Sequence, residues 1–154
     1  MLIFQQTRIG WQERPFTLYK FRTMPDGTTT HREQDATTLG KFLRRWSLDE
    51  LPQILNMLKG EMNVIGPRPM LPHQAVKLIS WQRDRFLVKP GITGYAQVMG
   101  RNAIPWSTRI ELDVWYVHNR TWRLDLWILW RTVVCWWTGE GLYGSGGVNA
   151  DVGD

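Results

Sequence analysis

The stretch Leu43-Arg44-Arg45-Trp46-Ser47-Leu48-Asp49-Glu50-Leu51-Pro52-Gln53-Ile54-Leu55-Asn56-Met57-Leu58-Lys59-Gly60 reads as the end of one helix and the whole of a second. The upstream helix is expected over 38–46, with Leu39, Phe42 and Leu43 on one face and Lys41, Arg44 and Arg45 largely on the other. The downstream helix is expected to start near Ser47, to carry Leu51, Ile54, Leu55 and Leu58 as an apolar stripe, and to stop at Gly60, a terminator. Asp49 and Glu50 then fall in a helical first turn, just after two arginines.

Two readings of that turn compete. Ser47-Leu48-Asp49-Glu50 fits a capping box, in which the glutamate reaches back to the serine amide. Pro52 strains it, because with Ser47 as cap the proline would be the fifth helical residue, where its ring and missing N–H conflict with the preceding turn. The other reading is chemical. A carboxylate at a helix start stays ionised, as a nucleophile or metal ligand must, and nearby cations reduce its repulsion from a phosphate. Further on, Val64-Ile65-Gly66-Pro67-Arg68-Pro69 is extended, with Pro67 and Pro69 fixing where Arg68 points. Together these residues describe an anion-handling site. The chain has no phosphate-cradling glycine loop, no G-x-G-x-x-G and no H-E-x-x-H. His31, His73 and His118 read as surface or packing residues.

Outward from this segment the pattern is mixed. Residues 5–24 alternate around a turn at 10–15 and predict a two-stranded hairpin. Residues 25–31 read as a polar loop, 73–86 as a helix, 89–98 as a compact turn leading into a short strand, and 101–106 as another loop. A helix over 108–118 puts Ile110, Val114 and Val117 on one side, with Glu111 and Asp113 near its start. Residues 122–137 form the most apolar helix, interrupted by Arg123, Asp125 and Arg131. The glycine-rich tail, about 139–154, is expected to be poorly ordered. The expected class is α+β: one mainly helical domain over 1–154 with a small N-terminal β-hairpin and interfacial amphipathic helices.

Composition narrows the partners. The 154 residues, 43% of them hydrophobic, suffice for one core. A net charge of +5 suits phosphate-bearing partners. Ten tryptophans are more than a small core needs and suit a membrane interface. A lone Cys135 excludes an internal disulfide and a cysteine zinc cage. Met1-Leu2-Ile3-Phe4 is too short for a secretory signal, and no run reaches the roughly 18 apolar residues of a spanning helix. A nucleic-acid module is disfavoured because the aromatics gather in an apolar helix rather than on a basic stacking surface.

The ordered blocks Gln6-Thr7-Arg8-Ile9-Gly10, Tyr19-Lys20-Phe21-Arg22-Thr23-Met24, Ser47-Leu48-Asp49-Glu50-Leu51-Pro52, Gly66-Pro67-Arg68-Pro69, Lys89-Pro90-Gly91-Ile92-Thr93-Gly94 and Asp113-Val114-Trp115-Tyr116-Val117 resemble the bacterial sugar transferases. These are small monotopic phosphoglycosyl transferases acting on polyprenyl phosphate. The resemblance implies that Asp49 attacks the sugar-linked phosphate of a nucleotide-diphosphate sugar, a UDP-sugar by preference, and that Glu50 assists proton or metal handling. The polyprenyl (undecaprenyl) phosphate would then take the sugar phosphate from Asp49, priming exopolysaccharide, capsule, O-antigen or glycoprotein glycan. Mg2+ is the implied cofactor, with Asp49 as its ligand. Arg44 and Arg68 match phosphate- or nucleotide-binding positions, Pro67 and Pro69 frame Arg68, and Lys20 and Arg22 match the strand block beside the site.

The implied place of work is an anionic membrane surface at the cytoplasmic face of the bacterial inner membrane, reached peripherally or monotopically. Relatives begin with a basic, hydrophobic helix that dips into the bilayer, and Met1 stands where that helix would end. The Trp-rich helix is expected to compensate in part, with Leu124, Ile128 and Val134 toward the core and the tryptophans toward lipid. The alternative is a truncated, non-catalytic relative that binds nucleotide sugar or a membrane partner. The sequence leaves sugar, glycan pathway and oligomeric state open.

Overall fold

The alternating segment folds as an antiparallel hairpin over 3–21 in the computed structural model, which describes residues 3–23, 37–100 and 103–138. The expectations for 25–31, for Arg101 and Asn102 and for the tail fall outside the described residues, as do the side chains of Lys41, Arg44 and Arg45. β1 (Ile3–Ile9) pairs with β2 (Pro15–Phe21) in a register that sets Arg8 opposite Phe16, Gln6 opposite Leu18 and Phe4 opposite Lys20. Side chains alternate across a strand, so Arg8, Leu18 and Lys20 share one face.

α1 (Thr38–Arg45) runs into a left-handed turn at Ser47 (φ 54°, ψ 22°). The expected second helix then starts as a 3-10 segment, Leu48–Gln53, and becomes α-helical only over α2 (Ile54–Leu58). Pro52 lies inside the 3-10 segment. Leu51, Ile54, Leu55 and Leu58, the expected apolar stripe, are exposed, and the buried residues are Pro52, Gln53 and Asn56. Asn56, fully buried, donates from Nδ2 to the Thr17 carbonyl (2.7 Å) and to Glu61 Oε2 (2.7 Å), and accepts from the Tyr19 amide (3.3 Å). A satisfied polar bracket, not an apolar stripe, thus seats this segment on the hairpin.

A second sheet holds two three-residue strands, β3 (Asn63–Ile65) and β4 (Gly91–Thr93), in parallel. The short strand expected within 95–98 is instead helical, α4 (Tyr95–Met99), with Ala96 and Val98 buried. Gly66 and Gly94 sit where two backbones touch: a methyl on Gly66 would overlap the Lys89 carbonyl oxygen, and one on Gly94 the Gly66 carbonyl oxygen.

The helix expected over 73–86 is two pieces, α3 (Pro72–Ala75) and a 3-10 segment, Ser80–Leu87, separated by an extended Ile79. Each piece is opened by a glutamine: Gln74 Oε1 accepts the Leu71 amide (3.1 Å) and Gln82 Oε1 the Ile79 amide (3.0 Å). Such side-chain bonds offer the backbone an alternative to a continuous helix. α5 (Trp106–Asn119) packs Ile110, fully buried, against Met70, Ala75, Leu78 and Phe86. Its first turn holds no acid; Asp113 lies inside the helix and is buried, so the expected placement near the start does not hold. α6 (Trp122–Thr138) buries Ile128, Thr132 and Cys135, with Leu124 packed beside Ile128 and Tyr116. Val134 is partly buried, while Trp122, Trp127, Trp130 and Trp137 are exposed. The α+β, mainly helical class holds.

Candidate active site

Glu50 is where the hairpin, the 3-10 segment and the proline loop converge. Its Oε1 accepts from Lys20 Nζ (3.1 Å) and from Arg68 Nη2 (2.8 Å). Ser47 makes no side-chain cap bond, so the capping-box reading fails. A backbone bond closes the turn, from the Glu50 amide to the Ser47 carbonyl (3.2 Å), and the Glu50 carboxylate faces two cations.

Burial alone would push the Glu50 carboxyl up, but Arg68 and Lys20 together bring it down to about 2. Burial lowers the Lys20 ammonium while Glu50 supports it; Arg68 is raised, chiefly by Glu50. The carboxylate is therefore anionic at any physiological pH. Asp49, its partly buried neighbour, lies within electrostatic reach of both cations, raising each.

The loop carrying Arg68 is held through its carbonyls, because Pro67 and Pro69 have no N–H to donate. The Pro67 carbonyl accepts from the Gly91 amide (3.0 Å), Arg68 from Arg85 Nη2 (2.8 Å), Pro69 from Arg8 Nη1 (3.3 Å) and Met70 from the Ile9 amide (2.8 Å). Four successive carbonyls are thus tied to three elements. Pro67 and Pro69 are buried and shape the loop, whereas the Arg68 side chain is half-exposed. A cavity of about 10 Å³ behind it, among Pro67, Arg68, Pro69, Arg85 and Phe86, has room for one water and not for a nucleotide.

Of the residues expected at the site, the structure gathers Asp49, Glu50, Lys20 and Arg68, with Pro67 and Pro69 as scaffold. Arg22, partly buried just past the end of β2, is not among the cations that set the Glu50 carboxyl. The Arg44 side chain lies outside the described residues. Sequence reasoning did not assign Arg8, which bonds Gln6 Oε1 (2.6 Å) and is lowered to about 10 by burial and by Arg68. The strand alternation that aligns it with Lys20 is the signal that could have found it. Arg85 also went unassigned; Asp113, like Glu111, reads from sequence equally as a metal or support contact and as helix N-terminal charge compensation, and no local pattern pairs it with Arg85.

Among the described residues no group of three or more His, Cys, Asp and Glu side chains could hold a metal. Mg2+ is commonly held by one or two carboxylates together with substrate phosphates, so the Asp49–Glu50 pair fits that ion only as a site shared with a phosphate ligand.

A family model described as bacterial sugar transferase matches residues 1–139. An uncharacterized sugar transferase of Bacillus subtilis (strain 168), EpsL, is 46% identical, over 97% of this chain and 77% of its own length. The UDP-glucose:undecaprenyl-phosphate glucose-1-phosphate transferase of Xanthomonas campestris pv. campestris is 42% identical, over 86% of this chain and 31% of its own length. The undecaprenyl-phosphate galactose phosphotransferase of Salmonella typhimurium is 35% identical, over 84% of this chain and 32% of its own length. The chain thus spans about a third of the latter two relatives. A match that takes in the hairpin, the acidic turn and the proline loop together places the chain in the bacterial sugar transferase family.

Proposed function

We propose that the chain is a phosphoglycosyl transferase that moves a sugar 1-phosphate from a UDP-sugar to undecaprenyl phosphate through a covalent intermediate on Asp49. The observation that carries this reading is the convergence of the acidic pair with two cations: Lys20 and Arg68 hold Glu50 ionised and lie within electrostatic reach of Asp49. The names of the relatives from Xanthomonas and Salmonella support the donor and acceptor classes.

In the first step an Asp49 oxygen attacks the sugar-linked phosphorus, the bond to the nucleotide phosphate breaks, and a nucleoside monophosphate leaves. In the second an oxygen of the polyprenyl phosphate attacks the same phosphorus and Asp49 departs as a carboxylate. Arg68 and Lys20 bring positive charge to the non-bridging oxygens and keep Glu50 ionised. Asp49 and Glu50 would hold Mg2+ with the donor's diphosphate; when bound it neutralises phosphate charge.

No helix among the described residues is long and apolar enough to cross a membrane. The reading instead places the active site at a bilayer surface through two exposed apolar sets that flank Asp49: Leu39, Phe42 and Trp46 before it, and Leu51, Ile54 and Leu58 after it. The α6 tryptophans add a further interfacial face.

A panel of UDP-sugars with Mg2+ tests the reaction: one should release uridine monophosphate and yield a polyprenyl-diphosphate sugar in vesicles containing undecaprenyl phosphate. Folded protein that releases none across the panel would leave the alternative, a non-catalytic relative. Flotation with anionic vesicles tests the surface, and protein remaining wholly in the soluble fraction would remove it.

A further inference from the structure

The proline loop is tied down at the Arg68 carbonyl by a side chain rather than by a strand, and that side chain is itself steered from the far side of the core. Arg85 is 5% exposed and Asp113 4%. One guanidinium nitrogen of Arg85, Nη2, meets both Asp113 Oδ2 (2.7 Å) and the Arg68 carbonyl (2.8 Å), while Nη1 reaches Met70 Sδ (3.5 Å). The ring of Phe86 lies 5.9 Å from the Arg85 guanidinium carbon. Nη2 carries two hydrogens and so serves Asp113 and the Arg68 carbonyl at once, with the Asp113 carboxylate on α5 orienting it.

We infer that Arg85, oriented by Asp113, is a positioning residue that fixes Arg68 against Glu50 and so couples helix α5 to the acidic pair. The geometry carries the inference. The three other carbonyls of the loop are tied to β1 and β4, so the Arg68 carbonyl is the one whose anchor depends on α5 and on the segment Ser80–Leu87. It is also the carbonyl of the residue whose side chain holds Glu50. The inference rests on the transferase reading for its kinetic consequence, not for its structural one.

Arg85→Lys is the sharpest variant, because it keeps a buried cation beside Asp113 but its ammonium ends one bond short of where Nη2 meets both partners. Hydrogen–deuterium exchange in the absence of substrate should show the amides of Gly66, Arg68, Met70 and Leu71 exchanging about tenfold faster, with the amides of β2 and α5 unchanged. Unchanged exchange at 66–71, or an equal acceleration throughout the protein, overturns the inference. This measurement stands even if the transferase reading fails.

In the reaction assay Arg85→Lys should lower kcat for monophosphate release about tenfold and change the donor KM by less than threefold. The same substitution placed on Arg68→Ala should lower kcat no further, because Arg85 acts through Arg68. Equal losses in both backgrounds, or a rise in KM with kcat intact, would refute the positioning role. A wild-type protein that releases no monophosphate would count against the transferase reading and leave the exchange result to decide this one.

Discussion

Glu50 and Asp113 are both low-exposure carboxylates with an arginine nitrogen within 2.8 Å, yet the protein pushes them in opposite directions. Glu50 comes down to about 2; Asp113 is pushed up to about 6 by burial, against the pull of Arg85 and Arg109. The difference is one of count and depth. Glu50 bonds two cations at a surface opening, where Arg68 remains half-exposed, whereas Asp113 and its arginine have side chains only 6% exposed. An ion pair enclosed on all sides recovers less of its hydration than one that keeps a face to water. The site therefore holds a permanent anion, and the core holds a carboxylate whose ionisation the fold resists.

The largest expected effect breaks the Glu50 side. Glu50→Gln removes the anion between Lys20 and Arg68, and monophosphate release should fall by about 10²–10³-fold, the scale of losing one preorganised electrostatic contact. Steady-state kinetics of folded variant would contradict the account by showing a loss under threefold.

The next effect sharpens the contrast through pH. Glu50 has a depressed pKa, so its contribution to stability is present above the unfolded value of 4.5 and is lost as pH falls toward 2. Asp113 is raised from 3.8, so ionising it costs stability that grows as pH climbs from about 4 to 6. Melting curves against pH should show wild-type losing ground to Asp113→Asn across that window, by roughly 1–3 kcal/mol at about 1.4 kcal/mol per unit. Glu50→Gln should instead flatten the loss below pH 4.5. A gap between wild-type and Asp113→Asn that stays constant from pH 4 to 7 would show that the two carboxylates do not differ as described.

The smallest effect comes from an exposed pair of even shorter contact. Arg83 Nη1 lies 2.6 Å from Glu13 Oε2, with both side chains more than a third exposed. Glu13→Ala should shift stability by less than about 1 kcal/mol, with the shift fading in salt. A larger, salt-insensitive loss would mean that distance, not environment, sets these pairs apart.

Legibility in the sequence follows the range of the forces involved. The hairpin, the acidic turn and the proline-clamped Arg68 were readable because alternation, Pro52 and Gly66-Pro67-Arg68-Pro69 act over a few residues. The capping box was a local rule overridden by distance: Lys20 is 30 residues from Glu50 in sequence, and its pull decides where that carboxylate goes. The apolar stripe at Leu51, Ile54, Leu55 and Leu58 was legible as spacing, but not the face it turns to, since spacing does not distinguish a buried from an exposed stripe. The break at Ile79 turned on side-chain bonds by Gln74 and Gln82 that compete with helix continuity. β3 and β4, three residues each, are too short for any period to register. Arg85 and Asp113 are 28 residues apart on different elements, so only the folded chain identifies them as a pair.

The central claim is that Asp49 reacts beside a Glu50 held ionised by Lys20 and Arg68, and intact-protein mass spectrometry tests it directly. Incubated with the productive UDP-sugar and Mg2+ but without acceptor, wild-type protein should gain the mass of one sugar phosphate, Glu50→Gln should gain it slowly, and Asp49→Asn should not gain it. An adduct that forms on Asp49→Asn, or turnover by wild-type that never passes through an adduct, would contradict the account.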